Sequence, residues 1–169
     1  DRTEALGMEG RVVVSHAFCL GDGPAEKVSA MIERLAKLRI GIISAVPGEI
    51  AFPPMFDLAA KGIPCALASD SIRDTWNPHG NGDMLDRCWL FSFRNWSRTD
   101  AELLACLEMG RARGADLLEL EGHGLTPGCE GSLLLVEGEN RAQVLVDRPA
   151  RALVVKTGRI VAEAGRYTG

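Results

Sequence analysis

Two polar side chains, Asp70 and His16, each stand where an apolar run of the sequence ends. Asp70 follows the run 65–68 at a distance of two residues, and His16 closes the β-branched run 11–16. The carboxyl ends of parallel strands share one edge of a sheet, so a carboxylate and an imidazole placed there can face one pocket. A carboxylate suits a divalent metal and can accept a proton from water. The pair therefore indicates hydrolytic chemistry.

The same residues also have structural interpretations. An Asp after a strand often caps the following turn, and a single His beside an apolar strand often binds a backbone carbonyl. Trp76, six residues beyond Asp70, is either a core residue that covers this edge or a flat surface on which a planar ring stacks. His79 and Asn81 are expected to shape the loop, and His123 is expected on the surface.

The elements that position these residues alternate as in a parallel α/β sheet. Apolar residues at helical spacing between charged ones predict an amphipathic helix over 25–38. The predicted order is strand 11–16, helix 25–38, strand 40–46, helix 56–61 and strand 63–68. Further helices are predicted over 84–93, from Thr99 to Met109 and over 112–118.

The pattern changes at about Glu119, where glycine-rich turns and short β-like runs begin. Strands are predicted at 133–136, 144–146, 153–156 and 159–161. The turn Lys156–Arg159 joins two runs rich in Val and Ile, which is typical of a hairpin. The sequence therefore predicts two regions, 1–118 and 119–169, of which the second is a small β unit.

Composition narrows the classes of partner. The 169 residues include 19 basic and 23 acidic side chains, and a net charge of -4 gives no reason to bind nucleic acid. No apolar run approaches the roughly 20 residues of a membrane span, so no membrane partner is expected. The five cysteines are odd in number and form no Cys-x-x-Cys pair, which favours a reducing cytoplasm.

Three segments carry a resemblance to metal-dependent amidohydrolases of the cytosine deaminase type: Ser15-His16-Ala17, the stretch Ala66–Leu85, and the terminal run Val154–Val161. The resemblance implies the C-terminal part of a (β/α)8 TIM barrel over 1–118, with strands six, seven and eight ending at His16, near Pro47 and at Asp70. It implies half of a small flanking β-sandwich over 119–169. Because a complete barrel needs about 250 residues, we expect a chain that lacks its first half.

The resemblance also implies a function. This is hydrolytic deamination, with release of ammonia, of an amino-substituted N-heterocycle of the cytosine, isocytosine, pterin or aminotriazine type. It implies one divalent ion, Zn or Fe, bound by Asp70 and by ligands outside this chain. Asp70 would take a proton from water, His16 would stabilise the tetrahedral species, and Trp76 and Ser71 would contact the small heterocyclic substrate. The missing N-terminal half and further copies in a homo-oligomer are the other expected partners.

The sequence departs from the family pattern at defined places. Cytosine deaminases typically carry a His before the metal-binding Asp and a second acid after it, whereas Ser69 and Ser71 flank Asp70 here. The His-x-His pair of the first strand, the His of the fifth strand and the nearby Glu acid have no counterpart. Two alternatives stay open: a non-catalytic α/β binding or interaction module that folds alone without metal, and a hydrolase that cleaves a ring amide.

Overall fold

A three-stranded parallel sheet organises the first part of the chain. The computed structural model describes all residues, 1–169. The strands pair in the order β1 (Val13–Ser15), β2 (Gly41–Ser44) and β3 (Cys65–Leu67). Both pairs are parallel, as the alternation of strands and helices in the sequence predicts. Their carboxyl ends therefore lie at one edge of the sheet.

Helices precede and connect these strands. They are α1 (Arg2–Ala5), α2 (Cys19–Asp22), α3 (Ala25–Leu38) and α4 (Met55–Ala60). The bounds of α3 are those that its apolar spacing predicts, and its Ile32 and Leu38 are buried. It ends at Arg39, which adopts the left-handed conformation that commonly terminates helices.

Three further helices follow β3. They are α5 (Met84–Arg94), α6 (Asp100–Arg111) and α7 (Arg113–Leu117). Asp83 caps α5 by accepting hydrogen bonds from two backbone amides of its first turn. Thr99 and Glu102 form a capping box at the start of α6. No helix of the protein has both the length and the apolar character that crossing a membrane requires.

The core lies between the parallel sheet and the helices around it. Phe91 of α5 is fully buried, with its ring centroid 5.1 Å from that of Phe56 and 6.1 Å from that of Phe52. Ile42 of β2 and Met55 of α4 are also fully buried. Burying one side chain of this size contributes about 1.5–3 kcal/mol, so these contacts hold α5 firmly against the sheet.

The second part of the chain contains a four-stranded antiparallel sheet. Its order is β4 (Leu133–Val136), β5 (Arg151–Lys156), β6 (Arg159–Glu163) and β7 (Arg166–Tyr167). Thr157 and Gly158 join β5 to β6 with φ values of 50° and 77°. Two consecutive positive φ values are those of a tight hairpin turn, so the predicted hairpin is confirmed.

The prediction of a strand at 144–146 is wrong. These residues lie in α8 (Arg141–Asp147), which connects β4 to β5. The side chain of Asn140 caps the helix by accepting a hydrogen bond from the Gln143 amide at 2.9 Å. Ala142 and Leu145, three positions apart, are buried where α8 packs against α5 and α6. Burial of this face stabilises the helix more than the β propensity of Val144 and Val146 favours a strand.

Candidate active site

The carboxyl ends of all three parallel strands meet at one edge. Ser15 of β1 stands opposite Ile43, and Ser44 of β2 stands opposite Leu67. Hydrogen bonds extend the pairing just beyond the strands, because His16 donates its amide to the Ile43 carbonyl at 2.7 Å. Side chains that follow β1 and β3 are thereby brought toward each other across β2.

The structure brings His16 and Asp70 together at this edge. The imidazole Nε2 lies 3.7 Å from the carboxylate Oδ2, and the side chains are 35% and 51% exposed. Both residues have left-handed backbones, with φ of 66° and 61°. A left-handed backbone is uncommon for residues other than glycine, and such residues concentrate at functional sites. The paired side chains therefore remain open to a ligand from solvent.

The surroundings of the pair do not match the structural interpretations of the two residues. The carboxylate of Asp70 accepts no hydrogen bond from the chain, whereas the loop and helix caps are formed by Asp74 and Asp83. The Nδ1 atom of His16 is buried and has no hydrogen-bond partner, so no backbone carbonyl orients this ring. Its ring packs instead against Phe18, with centroids 4.8 Å apart.

The loop after Asp70 is shaped by its own polar groups. Asp74 accepts hydrogen bonds from the amides of Asn77 at 2.7 Å and Trp76 at 3.0 Å. The Asn77 amide and the Ser71 hydroxyl hold the pKa of the Asp74 carboxyl below its usual value. Gly80 is required by space, since a Cβ atom there would lie 2.0 Å from the Ser71 carbonyl oxygen. The loop therefore folds back on itself.

Trp76 and Ser71 are less clearly placed for a ligand. The indole of Trp76 is 90% exposed, so within this chain it does not cover the strand ends. Ser71 is half-buried and its hydroxyl bonds to Asp74, within the loop. Their contact with a substrate ring stays a prediction. His79 and Asn81 belong to the loop's hydrogen-bond network, as the sequence predicts.

Arg87 is a residue of this edge that sequence reasoning missed. It lies on α5 and donates to the carbonyls of Ala45 at 2.7 Å and Ser69 at 3.2 Å. Burial lowers the pKa of its guanidinium, and the carboxylates of Asp70 and Asp86 act in the opposite direction. In the sequence it is one charged residue in a helix, a pattern that usually marks a solvated face, so no signal singles it out.

The residues at the edge fit part of a metal site. No group of three or more His, Cys, Asp or Glu side chains in the chain is arranged to hold a metal ion. Asp70 nevertheless offers a half-exposed carboxylate with no hydrogen bond from the chain, which is a hard ligand suited to a divalent ion. The chain can therefore contribute one metal ligand, and the remaining ligands would have to come from elsewhere.

An apolar cavity lies away from this edge. It has a volume of ≈ 360 Å³ and lies between α5, α6 and β4, where its walls include Cys88, Leu107, Leu133 and Leu134. The arginines beside it, Arg111 and Arg141, are both paired with Glu108. Its other polar side chains are also engaged, His123 with the Arg111 carbonyl and Ser132 with Glu130, so the strand edge is the better candidate site.

Comparison with known proteins finds relatives whose names identify them as hydrolases. N-isopropylammelide isopropyl amidohydrolase of Pseudomonas sp. (strain ADP) is 30% identical over 161 residues, which cover 95% of this chain and 40% of that protein. The crystal structure of N-isopropylammelide isopropylaminohydrolase from Burkholderia multivorans ATCC 17616 is 37% identical, with a TM-score of 0.92. The match covers 99% of this chain and 43% of that one. The chain thus spans less than half the length of these relatives.

The fold is shared more widely. The structure of 5-methylcytosine deaminase from Klebsiella pneumoniae, liganded with 5-fluorocytosine, has a TM-score of 0.83 at 22% identity and covers 99% of this chain and 43% of that one. The model of the amidohydrolase family matches residues 1–162. Since this match takes in nearly the whole sequence, the chain belongs to the amidohydrolase family.

Proposed function

We propose that this chain is the C-terminal part of a metal-dependent amidohydrolase that hydrolyses the amino substituent from an N-heterocycle. In this proposal residues 1–118 form strands six to eight of a (β/α)8 barrel with their helices, and residues 119–169 form half of a flanking β-sandwich. The observation that carries the proposal is the His16–Asp70 pair, 3.7 Å apart and open to solvent at the carboxyl ends of parallel strands. In α/β barrels this is the end at which catalysis takes place.

An aminotriazine is the substrate class that we favour. The two relatives named for N-isopropylammelide are 30% and 37% identical to this chain. Ser69 and Ser71 agree with this choice. The resemblance to cytosine deaminases implies a His and an acid at these two positions, and this chain carries serine at both. The reaction would release ammonia or the corresponding amine.

The chemistry divides between the metal and this chain. A divalent ion, when bound, supplies Lewis-acid activation of water. A C–O bond forms at the ring carbon, the C–N bond breaks, and the leaving nitrogen departs with a proton that came from water. Asp70 is placed to accept that proton and pass it on, because its half-exposed carboxylate lies beside His16 at the open edge of the sheet. His16 Nε2, beside Oδ2, is placed to donate a hydrogen bond to the developing oxyanion.

The edges of both sheets support a partner region. β1 stands at one edge of the parallel sheet, and its Val13 and Val14 are each 38% exposed. β4 stands at an edge of the antiparallel sheet, with Leu134 47% and Leu135 52% exposed. Unpaired apolar edge strands invite pairing with further strands. We propose that the N-terminal half of the enzyme covers them and supplies the other metal ligands. A homo-oligomer stays a prediction.

Asp70→Asn in the full-length enzyme tests the proposed role. Release of amine from an aminotriazine should fall by about two orders of magnitude or more, because Asn can neither carry the proton nor supply the negative charge. Asp74→Asn is the matched control, since Asn still accepts the loop's amide hydrogen bonds, and it should retain activity. Normal turnover in Asp70→Asn would refute the role given to Asp70, whereas absence of turnover in the metal-loaded wild type would favour the non-catalytic module. Opening of a ring amide by the wild type, without amine release, would favour the ring-amide alternative.

A further inference from the structure

Arg87 joins the two segments that leave the carboxyl ends of β2 and β3. Its Nη1 atom donates to the Ala45 carbonyl at 2.7 Å, and its Nη2 atom donates to the Ser69 carbonyl at 3.2 Å. Ala45 comes directly after β2, and Ser69 lies two residues beyond β3. Sheet hydrogen bonds have ended at these carbonyls, so the guanidinium satisfies groups that the strands leave unpaired.

Each of these carbonyls belongs to the peptide that precedes a left-handed residue. Ala45 is followed by Val46, whose φ is 48°, and Ser69 is followed by Asp70, whose φ is 61°. A left-handed backbone is a marked exception for a β-branched residue such as Val46, and it persists only where the surroundings hold it. Because φ is the rotation about the bond that follows this peptide, an anchored carbonyl holds one side of the torsion at both residues.

The helix that carries Arg87 is itself firmly anchored. Phe91, one turn further along α5, is fully buried in the core. At the start of the helix, Asp83 caps the first turn and pairs with Arg151 of β5. The guanidinium is therefore carried by a helix whose position is fixed. Its planar, forked set of donors can bind two carbonyls at once.

We propose that Arg87 is a positioning residue that locks both left-handed turns and thereby sets the direction of the Asp70 carboxylate toward His16. This inference rests on the proposed function only where it concerns activity. Its structural content, that one side chain holds two loop segments in place, applies to the protein whatever reaction it catalyses. Arg87 binds backbone carbonyls of the edge and contacts no substrate in this account.

Arg94 provides a matched control on the same helix. It lies seven residues after Arg87 and donates to the carbonyls of Pro47 and Ile50, both in the loop after β2. Its guanidinium also lies 4.4 Å from the ring centroid of Phe52. It is thus a second arginine that binds loop carbonyls, but it makes no hydrogen bond to the segment that carries Asp70.

The test compares Arg87→Met, Arg87→Lys and Arg94→Met in the full-length enzyme by hydrogen–deuterium exchange and by steady-state kinetics. In both Arg87 variants, exchange in peptides spanning 44–50 and 66–72 should become about tenfold faster. In Arg94→Met only the 44–50 peptide should change. Lysine keeps the positive charge but lacks the forked guanidinium donors, so Arg87→Lys should also lose the protection from exchange. If Arg87→Met does not fold, Arg87→Lys takes its place in the test.

Kinetics should separate positioning from binding. In the Arg87 variants kcat should fall about 100-fold, as expected for a misplacement of about 1 Å at a reacting group, while KM stays within about threefold of the wild type. Arg94→Met should keep kcat within about threefold. Unchanged exchange at 66–72 in Arg87→Met, or equal effects of the two methionine variants there, would overturn the inference. If the wild type hydrolyses no amino-heterocycle, the proposed function fails while exchange still decides the role of Arg87.

Discussion

Asp83 connects the start of α5 to the small antiparallel sheet, and its removal should destabilise the protein by an amount that can be divided into two parts. Its Oδ1 atom accepts the amide of Leu85 at 2.9 Å and that of Asp86 at 3.4 Å. Its Oδ2 atom pairs with the guanidinium of Arg151 on β5. The first interaction is a helix cap, and the second is an ion pair between two regions of the chain.

The two contributions have different expected sizes. Loss of an aspartate cap costs about 1 kcal/mol. The ion pair is partly buried, with side chains 18% and 31% exposed. Its loss should therefore lie between the ~0–1 kcal/mol of a surface pair and the ~3–5 kcal/mol of a buried one, at about 2 kcal/mol. Asp83→Ala removes both and should cost about 3 kcal/mol, whereas Asp83→Asn keeps a good cap and should cost about 2 kcal/mol.

Urea denaturation followed by circular dichroism measures these differences. The variant Arg151→Met, alone and combined with Asp83→Asn, completes a double-mutant cycle that should return a coupling energy of about 2 kcal/mol. If Asp83→Asn is as stable as the wild type, the ion pair contributes nothing and the reasoning about partial burial is refuted. If Asp83→Ala and Asp83→Asn are equally unstable, the cap contributes nothing.

Two further substitutions test the helix contacts. Gly110→Ala in α6 should destabilise by about 1–3 kcal/mol although alanine favours helices, because the new Cβ would lie 2.3 Å from the Cys88 sulfur. In a Cys88→Ala background the same substitution should become neutral or stabilising, as measured by urea denaturation. Glu102 has a pKa below its ordinary 4.5, because the amides of Arg98 and Thr99 donate to its carboxylate. This stabilises the fold above pH 4.5 and is lost as pH falls through the lowered pKa. Glu102→Gln should therefore melt below the wild type at pH 7, and the gap should close at acid pH.

The predictions for Gly110→Ala and Glu102→Gln can each be contradicted by one result. A Gly110→Ala variant that is equally destabilised in both backgrounds would show that Cys88 is not the obstacle. A melting difference between Glu102→Gln and the wild type that persists unchanged into acid would show that the charge of the carboxylate does not contribute.

The elements that follow from local pattern could be predicted well. The apolar face of α3 and the β-branched or apolar runs of β2 and β3 each agree with their burial, so periodicity was sufficient. The hairpin at Thr157 and Gly158 follows from turn chemistry alone. In these places local preference and tertiary packing favour the same conformation.

The sequence-based predictions failed where contacts between residues far apart in the chain determine the conformation. The strand predicted at 144–146 is a helix because α5 and α6 offer a surface that buries Leu145. The short helix α2 and the strand β7 were not predicted, since neither is long enough to show a period. Arg87 is also invisible in the sequence, because its role depends on two carbonyls that lie 42 and 18 residues away along the chain.

The candidate site was predictable only in part. An acid after one strand and a histidine after another suggest a shared edge, and the structure places their polar atoms 3.7 Å apart. The exposure of Trp76 could not be predicted, because it depends on a loop held by Asp74 and by the close approach of Gly80 to the backbone. Loop conformations of this kind follow from contacts rather than from residue type.

Metal analysis of the full-length enzyme tests the central claim most directly. That claim is that the Asp70 carboxylate, free of hydrogen bonds from the chain, is a ligand of a hydrolytic ion. The wild type and Asp74→Asn should each retain about one equivalent of a divalent metal after dialysis, and Asp70→Asn should lose most of it. Equal metal content in Asp70→Asn and the wild type, or no bound metal in an active wild type, would contradict the account.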